Sequence, residues 1–134
     1  MHAQIKKENK LNKSAVLTKA IQRLAKELDL SRQELSLMVG PSESTFSRLF
    51  KNDANVSEGK PKYLDPSSKE GQLAILLLRL YRNLDVLFGG NAKQSQLWLR
   101  SDNKHLEKKP IDLIKSVEGL VTVVQYLDAI RGKN

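Results

Sequence analysis

Apolar residues recur at three- and four-residue steps along most of the chain from Lys13 onward. Val16, Leu17, Ile21, Leu24, Ala25 and Leu28 form the first stripe and predict an amphipathic helix of about four turns, with Ser14 as its candidate N-cap. Asp29-Leu30-Ser31 interrupts it. Ser31 followed by Glu34 is the capping-box arrangement, which predicts a second helix burying Leu35 and Met38. Gly40 closes that helix, because a residue with positive φ belongs there, and Pro41 cannot continue it. Ser42 caps a third helix, residues 43–51, with Phe46, Leu49 and Phe50 facing inward. Residues 52–66 are rich in Asn, Asp, Ser, Gly and Pro and predict a loop. A longer helix follows over about 67–88. Leu73, Leu76, Leu77, Leu80, Leu84 and Leu87 make one stripe, and Ile75 and Leu78 widen it sideways. A helix of that apolar breadth is either central to the fold or part of a dimer seam. Gly89-Gly90 stops it. The rest predicts a helix over 92–100, a turn, a short helix opened by Pro110, whose missing N–H is no loss in a first turn, and a final helix over 117–130. No stretch alternates with period two, so the predicted fold class is all-α.

Composition narrows the picture. At 134 residues, 40% hydrophobic and 28% charged, the chain has the length and apolar content for one core, as a single domain or two very small ones sharing it. The lack of cysteine removes disulfides, zinc–thiolate sites and a thiol nucleophile, and fits a reducing, cytoplasmic setting. Residues 1–13 are polar and lysine-rich, unlike a secretory signal. The longest apolar run, Leu73 to Leu78, falls far short of the ~20 residues of a membrane span. Net charge is +8, with 12 Lys/Arg against 7 Asp/Glu in residues 1–62 and 11 against 8 in residues 63–134. That excess favours polyanionic partners, nucleic acid first. Chemistry of its own is not legible. His2 and His105 have no partner at ligand spacing, Asp102, Glu107, Asp112 and Glu118 fall at turns and helix starts, and Gly89-Gly90 lacks phosphate-loop spacing. The expectation is a non-enzymatic protein with no cofactor and no metal.

Residues 30–50, LSRQELSLMVGPSESTFSRLF, carry the sharpest signal: two short helices meeting at a tight turn centred on Gly40, the spacing of a helix-turn-helix. Small Ser36 permits close approach of the helices. The outward face of the second helix is Glu43, Ser44, Ser47, Arg48 and Lys51, with Ser42 and Thr45 at its start. Short hydroxyls and an arginine there suit base edges and phosphates. Ser31, Arg32 and Gln33 open the first helix of the pair and could serve a phosphate. In Leu30, Ser31, Leu35, Gly40, Ser42, Thr45, Phe46, Ser47 and Arg48 the segment resembles the Xre family of phage-repressor-like regulators, departing from it at Ser36, Val39 and Pro41. The resemblance implies operator DNA as a partner.

In the C-terminal stretch Trp98 and Leu99 anchor one predicted helix, and Val117, Leu120, Val121, Val124 and Leu127 form the face of the last. Gly119 weakens that helix by roughly 1 kcal/mol relative to Ala, a cost that fits either close backbone packing there or a harmless glycine. Phe88-Gly89, Asn91, Trp98-Leu99, Asn103, Leu106, Lys109 to Leu113, Ser116, Glu118-Gly119, Val123, Leu127 and Gly132 resemble the toxin-binding domain of the Xre/MbcA/ParS antitoxins. That resemblance implies a RES-domain toxin as partner, a NAD-consuming enzyme whose active site the antitoxin shields, and assembly as a homodimer or a larger hetero-oligomer with the toxin. Trp98, Leu99, Leu127, Ile130, Arg131, Gly132, Lys133 and Asn134 are the expected toxin-binding residues, with residues 131–134 expected as a short basic flexible end. The expected organisation is a polar tail over 1–12, the helix-turn-helix region over 13–62, a connecting or dimerisation helix over 63–88 and the toxin-binding domain over 89–134. An antitoxin that binds both toxin and operator is the leading reading. A toxin-neutralising module without DNA binding, or a repressor without a toxin, are the alternatives.

Overall fold

The computed structural model describes residues 2–51 and 63–132, and in them every regular element is a helix: α1 His2–Glu27, α2 Arg32–Val39, α3 Glu43–Phe50, α4 Lys69–Leu87, α5 Ala92–Arg100, α6 Pro110–Leu113 and α7 Val117–Ile130. An isolated bridge between Asn103 and Lys108 is the only extended pairing among them. The chain is all-α, as its periodicity predicts.

Local chemistry sets most helix starts. Ser31, Ser42, Ser68, Asn91 and Ser116 each accept a backbone N–H from the residue three positions on, so five helices open on a side-chain cap. Ser31 and Glu34 complete the capping box reciprocally, each bond 3.0 Å. Gly40 ends α2 at φ +115°, a conformation that a side chain resists, and its N–H reaches the Ser36 carbonyl.

The first helix departs from expectation. Residues 2–12, expected as a polar tail, are helical, and α1 begins at His2 rather than at Ser14. Ser14 is not an N-cap but a buried residue whose carbonyl accepts the Thr18 hydroxyl at 2.8 Å. The reason is that residues 2–13 contain no Gly or Pro, and extending an existing helix by good formers such as Ala, Lys, Gln and Glu costs little once a nucleus is present. Thr18 also accepts the Leu64 N–H at 2.8 Å, which pins the chain entering α4 against α1.

One core joins the whole. α4 lies at its centre, packing on α1, α2 and α7, with Ala74, Leu77, Leu80 and Leu84 fully buried. Ile21 and Leu24 of α1, Leu28 just after it, Leu35 and Val39 of α2, Phe46 of α3, Leu99 of α5 and Leu120, Val123 and Leu127 of α7 close around it. This helix is central to the fold, and Ile75 and Val86 remain exposed on its outer side. Buried Asn83 bridges α4 to the end of α7, donating to Asp128 at 2.9 Å and accepting from Arg131.

Candidate functional surfaces

The helix-turn-helix is built as predicted. Phe46 and Leu49 lock α3 from within, and Phe50 is half-buried with its ring against Phe46. Glu43, Ser44, Arg48 and Lys51 are exposed along the outer side of α3. Ser47 and Thr45 are half-covered: the Ser47 hydroxyl donates to the Glu43 carbonyl, and Thr45 shares a 2.8 Å contact with Ser42. The hydroxyls of Ser31 and Ser42 are engaged as caps, and the Ser31 N–H is itself taken by Glu34. Gln33 is exposed. Arg32 is exposed too and lays its guanidinium 4.4 Å over the Phe50 ring, which brings the start of α2 against the last turn of α3. Of the candidates on α2, Arg32 is thus brought to the end of α3.

The C-terminal candidates divide. Leu99 and Leu127 are 1% and 0% exposed and belong to the core, so they support a surface from beneath and cannot touch a partner. The apolar pattern marked them, but pattern alone does not separate core from interface. Trp98 is half-buried and stacks on Tyr126, ring centroids 6.5 Å apart and planes at 15°, and His105 packs on the same Tyr126 ring at 5.3 Å. Tyr126 and the ring contact of His105 were not legible in the sequence, because nothing local ties a tyrosine in α7 to a tryptophan in α5 or a histidine in the turn between α5 and α6. Ile130, one helical turn beyond Tyr126, is 49% exposed. Arg131 was expected in a flexible end. Instead it is half-covered, ends α7 through its N–H to the Leu127 carbonyl, and donates its guanidinium to Asn83. Gly132 is exposed with φ +73°, and Lys133 and Asn134 lie outside the described residues.

Two further features concern chemistry. The Glu34 carboxyl is held below the usual range, chiefly by hydrogen bonding from Arg100, while partial burial works the other way. Among the described residues no cluster of three or more His, Asp or Glu could hold a metal ion, and no helix is long and apolar enough to cross a membrane.

Comparison with known proteins follows the same division. No curated protein matches the chain. Residues 8–79 match the family model of the antitoxin Xre-like helix-turn-helix domain, and residues 83–133 match that of the antitoxin Xre/MbcA/ParS C-terminal toxin-binding domain. The two matches meet inside α4. A helix-turn-helix and a toxin-binding region standing on a common central helix place this chain among the Xre/MbcA/ParS-type antitoxins, and it belongs to that family.

Proposed function

We propose that the protein neutralises a RES-type, NAD-degrading toxin through its C-terminal surface and represses its own operator through the helix-turn-helix, acting as a homodimer that forms larger complexes with the toxin. The observation that carries the reading is that one core bears two sets of surface side chains of unlike chemistry. One is polar and basic: Ser44 and Arg48 on α3 and Lys51 at its end, with Arg32 beside that end. The other is aromatic and apolar: Trp98, Tyr126 and Ile130. The first suits a phosphate backbone and base edges, and the net charge of +8 supports it. The second suits a protein, because half-buried aromatic side chains supply much contact area at little entropic cost and tend to dominate interface energies. Pairing of two copies follows from the way helix-turn-helix proteins read paired half-sites, and the exposed Val16, Ile75 and Val86 are the apolar residues available for it.

Co-expression with a RES-domain protein from a neighbouring reading frame tests both halves. The wild-type chain is expected to restore growth and cellular NAD. Trp98→Ala should lose about 2 kcal/mol or more of toxin binding and leave NAD depleted at limiting expression. Arg48→Ala should neutralise normally but bind operator about tenfold more weakly or worse. Failure of the wild-type chain to restore NAD refutes the partner, and full activity of either variant moves that surface elsewhere.

A further inference from the structure

Helix α5 lies in the toxin-binding region, yet its inner side is fastened to the helix-turn-helix. Gln96 Nε2 donates to the Glu27 carbonyl at 2.8 Å, at the end of α1. One turn on, Arg100 Nη2 donates to the Asp29 carbonyl at 2.9 Å, in the turn between α1 and α2. Asp29 holds φ +54°, a left-handed conformation that non-glycine residues adopt sparingly. The same guanidinium straddles Glu34 of α2, with Nη1 3.1 Å from Oε2 and Nη2 3.0 Å from Oε1. Glu34 Oε1 meanwhile accepts the Ser31 N–H that completes the capping box. A single carboxylate therefore serves two masters, the cap of α2 and an arginine 66 residues away. Beyond the cap stand Gln33, exposed, and Arg32, laid over Phe50 at the end of α3.

The magnitudes say what such a contact is for. The pair is partly open to solvent, side-chain exposures being 42% for Arg100 and 16% for Glu34, and ion pairs of that kind add little to global stability. A two-pronged guanidinium–carboxylate contact is nonetheless strongly directional. Together with the bond to the Asp29 carbonyl it fixes both the α1–α2 turn and the rotation of the first turn of α2.

We propose that Arg100 is a positioning residue for DNA binding: from the toxin-binding region it sets the start of α2, and through it the DNA-facing surface, so that DNA affinity depends on the state of α5. The inference rests on the reading of residues 31–51 as that surface. Leu97, 69% exposed, and Trp98 lie within one turn of Arg100 on α5, so a partner gripping that helix and DNA at α2 act on a shared contact, and their coupling is mutual.

The test uses the full chain and a duplex that the wild-type protein selects from a randomised pool. Arg100→Ala is expected to bind it about five- to tenfold more weakly, within the usual range of coupling between sites. Its slope of log affinity against log salt should equal that of wild type, because Arg100 touches no phosphate, and Arg100→Lys should recover part of the loss. Arg48→Ala, by contrast, should lower both affinity and slope. Should Arg100→Ala fail to fold, by circular dichroism, Glu34→Gln reads the same contact and is expected to show the same loss. If the wild-type chain enriches no sequence, the DNA-facing reading falls and this one with it. If wild type selects a duplex and Arg48→Ala weakens it, but Arg100→Ala and Glu34→Gln bind as wild type, the positioning role alone is refuted. A slope reduced by about one in Arg100→Ala overturns it as well, by making Arg100 a direct phosphate contact.

Discussion

Gly119 stands at the third position of α7, where an added Cβ would lie 1.8 Å from the Leu113 carbonyl oxygen. Gly71 stands at the third position of α4, where a Cβ would meet the Asp65 carbonyl oxygen at the same distance. Both belong to one local device, Ser-x-Glu-Gly: Ser68 to Gly71 and Ser116 to Gly119. In each, the serine hydroxyl accepts the glycine N–H and donates to the carbonyl that the missing side chain leaves room for. Helix propensity would make Gly119→Ala stabilising by about 1 kcal/mol. Steric overlap with a backbone atom opposes it by about 3 kcal/mol or more, since neither group has slack to give. The second effect wins, so Gly119→Ala is expected to lower stability by about 2 kcal/mol in urea unfolding. A variant at least as stable as wild type would refute the close approach. The sequence marks Gly119 as a candidate for close packing, whereas the atom it packs against comes from the turn that folds back before α7.

Helix boundaries were legible for α2, α3, α5 and α7, which fall where their caps and turns put them, whereas a serine beside an apolar stripe misled at Ser14. The start of α1 was not legible, because an exposed polar helix carries neither stripe nor cap and persists only as an extension of the buried turns beyond it. α4 shows the limit of periodicity in another way. Its apolar breadth is spent mostly on the core, and what remains outside is a groove of about 410 Å³ shared with α1, lined by Val16, Ala20, Ile75, Leu78 and Arg82 among others. This strip is the proposed dimer contact. Ile75 is 42% exposed and touches the core little, so Ile75→Glu should leave helicity and thermal stability intact while converting a micromolar dimer to monomer by light scattering. A wild-type chain that is already monomeric, or an Ile75→Glu dimer, would remove α4 from the contact.

At the scale of the molecule the two regions are not independent bodies. α4 spans both and packs on helices from each, and Asn83, Asp128 and Arg131 tie the end of α7 to it. Calorimetric unfolding is therefore expected to show a single cooperative transition, with equal calorimetric and van't Hoff enthalpies. Two resolved transitions would mean that the shared core does not couple the regions. The helix-turn-helix was legible because its information is local: cap, turn glycine and inward aromatic residues lie within residues 30–50. The C-terminal surface was legible only in part, since Trp98 stood out by type, while Tyr126 and His105 join it only once α5 and α7 are packed. By itself the sequence determined helices, caps, the turn at Gly40 and a basic balance, because these depend on neighbours within about four residues and on composition. Only the tertiary structure decided that Leu99 and Leu127 are core and not interface, that Arg131 is held by Asn83, and that Arg100 reaches Glu34. Each of those turns on which way a side chain faces after distant helices meet, and periodicity, which says only that a face is apolar, leaves its partner open.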